Sequence, residues 1–260
     1  MSHRLVTSSS NARVAAARRL RRRSQREATG LILVEGERVI SEALALGVVE
    51  DLFVTADVAQ LASDAEATDL RPLWVSASVL RSLSDAVTPQ GAVAIARSPL
   101  IPVPDISSWS LVLVLDQVRD PGNAGTLLRA AVAAGASAVI FTEGSVDPGN
   151  PKAVRASAGA LFRVPVAGGA GLEQVVELAH GAGATMVGAA AAAKLSLYEA
   201  DLRGPLAVVV GNEAHGLSGD RRNLLDETLR IPMPGPQESL NVSIAGALIL
   251  FEAVRQRLYA

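Results

Sequence analysis

Short apolar runs alternate with amphipathic segments over the first hundred residues. The apolar runs predict buried strands at 31–36, 51–55, 73–76 and 91–97. Polar and apolar residues at helical spacing predict helices at 12–23, 37–47 and 76–85. Residues 98–108 contain three prolines and little periodicity, which is typical of a linker. We therefore expect a small N-terminal α/β domain over residues 1–97.

A second series of apolar runs begins at Leu111. They predict strands at 111–115, 138–141, 185–189, 206–210 and 228–232. Helical patterns between and after these runs predict helices at 123–134, 151–160, 171–181 and 218–225. Continuous apolar strands that alternate with helices are typical of a parallel sheet covered on both faces. The sequence thus predicts a second, larger α/β domain over residues 109–260.

A long C-terminal helix is predicted at about 240–258. Its first half, VSIAGALILF, is apolar on nearly every side. Such a helix must be buried on more than one side. Either a subunit interface or the core of the monomer would supply that burial.

Composition narrows the class of protein. A chain of 260 residues, 49% of them hydrophobic, can bury two cores. The polar N-terminus lacks the apolar segment of a signal peptide, and no apolar stretch is long and unbroken enough to span a bilayer, so we expect no membrane partner. The absence of cysteine excludes disulfides, thiolate metal sites and cysteine nucleophiles, and is consistent with a cytoplasmic protein.

Positive charge is concentrated at the N-terminus. Residues 1–26 contain eight arginines and no acidic residue, although the whole chain has a net charge of −2. A basic arm on an acidic body is typical of a protein that contacts phosphate. The alternative is a solvated helix face in an Arg-rich protein. The candidate nucleic-acid-binding residues of this arm are Arg13, Arg18, Arg19, Arg21, Arg22 and Arg23.

Three later segments end strands in loops rich in Gly, Pro, Asn and acidic residues, and the first is residues 111–130. Its strand ends at Asp116, and either Asn123 or Thr126 is positioned to cap the following helix. Arg129 falls among Ala, Leu and Val residues, so its guanidinium must reach solvent, an acid or a ligand. The segment lacks the GxGxxG pattern of dinucleotide-binding turns.

The second segment, VVVGNEAHGLS, spans residues 208–218. Gly211 would let a ligand approach the backbone closely, and Glu213 places a carboxylate at the end of the strand. Glu213 and His215 together invite a metal interpretation, but two candidate ligands do not make a site. We therefore expect no metal.

The third segment, IPMPGPQESLNVS, spans residues 231–243. Its prolines exclude regular strand pairing and predict a fixed, irregular loop. Ser239 and Asn241 can both cap the last helix. Rigid backbone donors and acceptors in such a loop can bind an adenine edge without a charged side chain.

Together the three segments resemble the signature motifs of the SpoU (TrmH) family of RNA ribose methyltransferases, which belongs to the SPOUT superfamily. The motif NxGxxxR matches Asn123, Gly125 and Arg129. The motif GNExxGLS matches residues 211–218, and IPMxGxxxSLNVS matches residues 231–243. The N-terminal part is similar to the accessory RNA-binding domain of this family, itself similar to kink-turn-binding ribosomal proteins, through LVEG (33–36) and TPQGAVAIA (88–96).

The resemblance implies a trefoil-knotted catalytic domain that acts as a homodimer, with the helix at 240–258 in the interface. It implies S-adenosylmethionine as the cofactor. The implied cofactor-binding residues are Gly211, Asn212, Ile231, Met233, Leu240 and Asn241.

The implied reaction is methyl transfer to a ribose 2′-hydroxyl. Arg129 would act either as the base or, as we favour, by orienting phosphate and hydroxyl, because arginine is normally always protonated. Asn123 would position the ribose or Arg129, Glu213 would fix the loop or an Arg, and Ser239 and Asn241 would orient the target. We expect a 23S ribosomal RNA substrate, for maturation or for antibiotic resistance. The alternatives are a tRNA substrate, a ribosome-assembly protein without catalysis, and an unrelated nucleotide-binding enzyme.

Overall fold

A computed structural model describes residues 5–84, 86 and 89–259 of the chain. The α-helices are α1 Ala12–Arg19, α2 Arg23–Thr29, α3 Glu37–Ala45, α4 Ala59–Glu66, α5 Ala77–Leu83, α6 Pro121–Ala133, α7 Pro151–Ala156, α8 Leu172–Gly181, α9 Gly219–Arg222 and α10 Val242–Leu258. The strands are β1 Leu31–Glu35, β2 Val49–Val54, β3 Leu73–Trp74, β4 Ala92–Arg97, β5 Leu100–Ile101, β6 Leu111–Leu115, β7 Ala138–Thr142, β8 Val166–Ala170, β9 Thr185–Ala189, β10 Leu195–Ser196, β11 Leu206–Val210 and β12 Glu227–Arg230.

The first of two compact units contains the described residues up to Ser98 together with Gly149–Phe162. Its four-stranded sheet has the order β1-β4-β2-β3, in which β4 is antiparallel to both of its neighbours. Helix α1 buries Val14 and Ala17, which join Leu33 and Phe53 in one hydrophobic cluster. The N-terminal helix is therefore part of the core of this unit.

The second unit contains Pro99–Pro148 and Arg163 onward. Its eight-stranded sheet has the order β10-β12-β9-β11-β6-β7-β8-β5, and every pairing among the described strands is parallel. Strands β6 and β11 lie side by side, with all of their residues buried. The predicted α/β class with a parallel sheet is confirmed.

Several predicted elements differ from the structure. The helix expected at 12–23 is two helices, since Leu20 caps α1 and Arg22 has extended backbone before α2. Helix α4 was not predicted because it is short and few of its residues are buried, so the apolar residues give a weak helical pattern. Strand β8 was missed because Gly168 and Gly169 occupy its centre.

The helix expected at 151–160 ends early. Helix α7 stops at Ala156, because Ala158 and Gly159 have left-handed backbone with φ of 48° and 92°. Helix α7 packs on β1, which accounts for the inclusion of residues 149–162 in the first unit.

The stretch predicted as a linker, 98–108, carries β5, which pairs with β8 of the second unit. Val103 and Ile106 are buried in the cluster of that unit. The domain limits at 97 and 109 stay a prediction. Two other sequence features fall partly outside the described residues, namely Arg4 of the basic arm and Thr88 of the segment 88–96.

Among the described residues, no helix combines the length and the hydropathy needed to cross a bilayer.

Candidate active site

The first two motif segments begin side by side at the carboxyl edge of the parallel sheet. Strands β6 and β11 are neighbours and end at Leu115 and Val210. The backbone N–H of Asp116 donates to the carbonyl of Val210 at 2.8 Å. Ligands of open α/β sheets bind at this edge, so the position matches the expectation from the strand ends.

The turn of the first segment is capped by a residue that the sequence analysis passed over. Asp120 is the N-cap of α6, and its Oδ1 accepts from the backbone N–H of Asn123 at 2.8 Å. Thr126 instead bonds to the carbonyl of Gly122 inside the helix. The prediction that Asn123 or Thr126 caps this helix is therefore wrong, and the amide of Asn123 can bond to other segments.

A hydrogen-bonded chain of side chains joins all three segments. Nδ2 of Asn123 donates to Oε1 of Glu213 at 3.3 Å, and Oδ1 of Asn123 accepts from Nδ2 of Asn241 at 2.9 Å. Asn241 also caps α10 by accepting from the backbone N–H of Ser243 at 2.8 Å. Three of the five candidate catalytic residues therefore meet, although Asn123 is 90 positions from Glu213 and 118 positions from Asn241 in the sequence.

Glu213 holds the loop that precedes α6. Its Oε1 accepts from the backbone N–H of Asp120 at 2.9 Å, and its Oε2 accepts from that of Arg119 at 3.2 Å. Partial burial acts to raise the pKa of Glu213, but these hydrogen bonds together with that of Asn123 outweigh it and lower the pKa. Glu213 is therefore an anion at neutral pH.

The turn of the second segment requires glycine at its first position, because another part of the same loop packs closely against it. A Cβ on Gly211 would overlap the backbone of Gly216 and Leu217. The side chain of Asn212 fixes the same turn, because its Oδ1 accepts from the backbone N–H of Ala214 at 3.0 Å and its Nδ2 donates to the carbonyl of Gln117 at 3.1 Å. The close approach that Gly211 permits is thus between two parts of one loop.

A cavity of about 380 Å³ lies beside this turn. Its lining includes five of the six candidate cofactor-binding residues, and it also includes Glu213 and Ser239; the five are Gly211, Asn212, Ile231, Met233 and Leu240. The sixth, Asn241, is not in the lining. The alanines at 189–192, which follow β9 at the same edge of the sheet, form a wall that the sequence analysis missed. The position of this run after a parallel strand could have revealed it.

Arg129 lies on the exposed side of α6. It is not in the cavity lining, and within the described part of the chain its guanidinium forms no hydrogen bond or ion pair. The sequence left solvent, an acid or a ligand as the environment of the guanidinium, and in the structure it is exposed to solvent.

Asp116 is a buried carboxylate that the sequence analysis placed only as the end of a strand. Its side chain is 1% exposed, and its Oδ1 accepts from Thr142 at 2.8 Å and from Arg221 of α9 at 2.6 Å. Burial raises the pKa of Asp116, and the hydrogen bond from Thr142 and the charge of Arg221 offset this only in part. The pair connects the sheet edge to the helix that follows the second segment.

The basic arm is less uniform than its sequence indicates. Arg13 pairs with Asp51, and Arg23 pairs with Glu27 at 2.7 Å. Arg26 is buried and donates to the carbonyl of Leu20 at 2.8 Å. Although residues 1–26 contain no acidic residue, Arg13 and Arg23 are therefore compensated by acidic residues from elsewhere in the chain. Arg18, Arg19, Arg21 and Arg22 remain exposed on the surface of the first unit.

Across residues 5–84, 86 and 89–259, no cluster of three or more His, Asp or Glu side chains has a metal-binding arrangement.

Comparison with known proteins gives two family matches. The model of the SpoU rRNA Methylase family matches residues 110–251. The model of the MRM3-like substrate binding domain matches residues 11–94. Both spans agree with the two parts that the sequence motifs distinguish.

Curated relatives match over the whole chain or over its second part. The 23S rRNA (guanosine(2553)-2′-O)-methyltransferase RlmP of Bacillus subtilis is 31% identical over 247 residues, covering 95% of this chain and 97% of that protein. The 23S rRNA (guanosine-2′-O-)-methyltransferase RlmB of Xanthomonas axonopodis pv. citri is 45% identical over 151 residues. That match covers 58% of this chain and 61% of the length of RlmB.

A solved structure matches the entire fold. The AdoMet-bound rRNA methyltransferase from Sinorhizobium meliloti is 32% identical, with a TM-score of 0.86 and 99% of both chains covered. The likeness extends through both parts of the chain, so the fold is that of the SPOUT methyltransferases.

Proposed function

The chain belongs to the SpoU rRNA methylase family, and on this basis we propose that it transfers a methyl group from S-adenosylmethionine to a ribose 2′-hydroxyl of 23S rRNA. The observation that carries the proposal is that the second and third motif segments line one cavity, and that hydrogen bonds from Asn123 to Glu213 and Asn241 join the first segment to both.

The cavity fits the proposed cofactor in size and in chemistry. Small-molecule sites measure roughly 300–1,000 Å³ and combine apolar walls with a few polar groups, and this cavity of about 380 Å³ has alanine and leucine walls and a rigid polar turn. Backbone groups of Gly211, Ile231 and Leu240 would hold the adenosine, with Asn212 and Met233 completing the pocket. When bound, the cofactor supplies an activated methyl group on a sulfonium.

Arg129 serves as the group that orients the substrate. Its guanidinium is exposed, and arginine is a cationic residue with planar donors suited to phosphate. An exposed cation can hold an RNA phosphate beside the target ribose, which aligns the 2′-hydroxyl for attack. The hydroxyl proton would pass to solvent water as the methyl group left the sulfonium for the hydroxyl oxygen, and Arg129 would stabilise the developing charge without accepting that proton.

The amide chain gives the RNA side of the site its shape. Asn123 and Asn241 hold each other, and Glu213 holds Asn123 and the loop before it. These contacts fix the start of α6 and therefore the helix that carries Arg129. Ser239 is exposed at the cavity and orients the target nucleotide.

The first unit provides phosphate contacts. Arg18, Arg19 and Arg22 are exposed, and within the described residues their guanidinium groups form no ion pair. Contacts of this type give affinity and leave specificity to RNA shape and exposed bases. Because the proposed substrate is ribosomal RNA, we expect the reaction to take place in the cytoplasm.

The last helix forms a homodimer interface in this proposal. Ile244, Leu248 and Phe251 are exposed at spacings of four and three residues, which puts them on one face of α10. Pairing of this face with a second copy would bury the apolar stripe. Sedimentation of the protein and of Phe251→Glu would test this: a dimer that becomes a monomer supports it, and a monomeric wild type contradicts it.

The activity is tested by incubating the protein with methyl-labelled S-adenosylmethionine and either 23S rRNA or bulk tRNA. Digestion to nucleosides should yield one labelled 2′-O-methylnucleoside from 23S rRNA alone. Label in tRNA would support the tRNA alternative. If the protein bound RNA but neither bound the cofactor nor transferred a methyl group, the result would support a catalytically inactive assembly protein.

A further inference from the structure

The cofactor cavity contains three ionisable side chains, and they differ in how far they are engaged. They are Glu213, His215 and Arg222. Both oxygens of Glu213 accept backbone hydrogen bonds, so this carboxylate is committed to the loop. Nδ1 of His215 lies 3.3 Å from Oδ1 of Asn212 within the same turn. Among the described residues, Arg222 is the only Arg or Lys in the lining.

Arg222 is held in place through its neighbour. It is the last residue of α9, and Arg221 immediately before it pairs with the buried carboxylate of Asp116. Successive residues of a helix point about 100° apart. A helix fixed by Arg221 against the sheet edge therefore presents Arg222 in a different direction, and Arg222 contributes to the cavity wall.

The guanidinium of Arg222 is free to bind a ligand. The residue is exposed, and among the described residues its side chain has no hydrogen bond or ion pair. Arg221, by contrast, has 23% of its side chain exposed and already has a carboxylate partner. Two adjacent arginines thus differ in availability: one stabilises the fold, and the other faces the site.

We propose that Arg222 binds the α-carboxylate of the methionine part of S-adenosylmethionine, an assignment that rests on the proposed function. The adenosine part of this cofactor carries no charge, and its one anionic group is that carboxylate. Guanidinium matches a carboxylate in charge and in planar geometry, with two parallel N–H donors. The rest of the lining offers backbone and apolar groups for the adenosine, so Arg222 determines where the amino-acid end lies.

The inference is tested by calorimetric titration with three ligands. S-adenosylmethionine and S-adenosylhomocysteine both carry the carboxylate. In 5′-methylthioadenosine a single methyl group on sulfur replaces the amino-acid part, so the carboxylate is absent. Arg222→Gln should weaken binding of the first two by about tenfold, since a charge-assisted hydrogen bond at an exposed position contributes at the lower end of its usual range. Affinity for 5′-methylthioadenosine should change by less than about twofold.

Control variants distinguish the loss of the carboxylate contact from a general loss of structure in the pocket. Arg203→Gln removes an exposed arginine of the same unit that pairs with Asp201 and lies outside this cavity, and it should leave all three affinities unchanged. Arg222→Lys should retain part of the affinity, because the charge remains but the paired donors do not. Thermal unfolding of all variants should match that of the wild type.

Three results would overturn the assignment. Equal loss for all three ligands would indicate a distorted pocket, and no loss for any of them would show that the guanidinium does not contact the cofactor. Unchanged cofactor binding with weakened RNA binding would reassign Arg222 to an RNA phosphate. If the wild type bound none of the three ligands, the proposed function would fail first, and the inference with it.

Discussion

Glu213→Gln is the substitution that most directly probes how the three segments are held together. The carboxylate accepts hydrogen bonds at 2.9, 3.2 and 3.3 Å from the backbone N–H groups of Asp120 and Arg119 and from the amide of Asn123. Glutamine keeps the shape but has one acceptor oxygen and an NH₂ group in place of the other. One backbone N–H would then face a donor, and the negative charge would be lost.

The magnitude follows from the number and exposure of these bonds. Hydrogen bonds to charged groups contribute about 1.5–3 kcal/mol when shielded. Glu213 is exposed, so water compensates part of the loss, and we expect the loop before α6 to lose about 1–2 kcal/mol. That corresponds to roughly a 5- to 30-fold fall in kcat at saturating cofactor, because 1.4 kcal/mol is a factor of ten.

The assay compares methyl transfer and thermal unfolding with those of Glu177→Gln, a control at an exposed position of α8. The folded protein lowers the pKa of Glu213 below its ordinary 4.5. Its contribution to stability is therefore fully present above about pH 4.5 and is lost as the pH falls through the lowered value. The difference in Tm between the wild type and Glu213→Gln should be constant from pH 6 to 8 and should narrow below about pH 4.5. An unchanged kcat, or a Tm difference that persists undiminished at low pH, would show that the Glu213 carboxylate does not hold this loop.

Three further substitutions have distinct expected outcomes. Arg129→Ala should lower kcat by roughly 100-fold or more while calorimetric affinity for S-adenosylmethionine stays the same; rapid turnover would exclude an orienting role. Replacing Arg18, Arg19 and Arg22 with Gln should reduce the slope of log affinity for RNA against log salt by about 2 to 3 without changing Tm, and an unchanged slope would remove these residues from the RNA interface. Burial raises the pKa of Asp116, so its ionised form disfavours folding and the associated stability is lost as the pH rises through that raised pKa. The wild type should accordingly gain Tm relative to Asp116→Asn as the pH falls from 7 toward 4, and a difference that does not vary with pH would contradict the shift.

The strands of the parallel sheet could be predicted where their apolar runs are continuous. Strands β6 and β11 begin and end as the sequence indicates, because every residue of LVLVL and LAVVV is buried. Strand β8 reads VAGGA, and glycine carries no hydrophobic signal, so only the pairing with β7 reveals it. Two-residue strands such as β5 depend wholly on their partners.

The candidate site was predictable in its segments and not in its contacts. Family motifs located Asn123, Glu213 and Asn241, but no spacing in the chain indicates that they bond to one another. Asp120 outcompetes Asn123 as the cap because its side chain accepts from the N–H three residues ahead.

Pairs between distant residues escaped the sequence analysis for the same reason. Asp116 and Arg221 are separated by 105 positions, and Arg13 pairs with Asp51 across 38. Folding alone brings these charges together, which is why the basic arm looked uncompensated in sequence. Its helix also buries Val14, so deleting the arm would disturb the core as well as the charge.

Mapping of 2′-O-methylation at every nucleotide of 23S rRNA tests whether the protein methylates a ribose. The RNA is taken from cells that lack the protein and from the same cells complemented with the wild type or with Arg129→Ala. We expect one ribose that is methylated in cells with the wild type and unmethylated both in the deletion strain and in cells with the variant. Identical maps in all three strains, or a methyl group found on a base in place of the ribose, would contradict it.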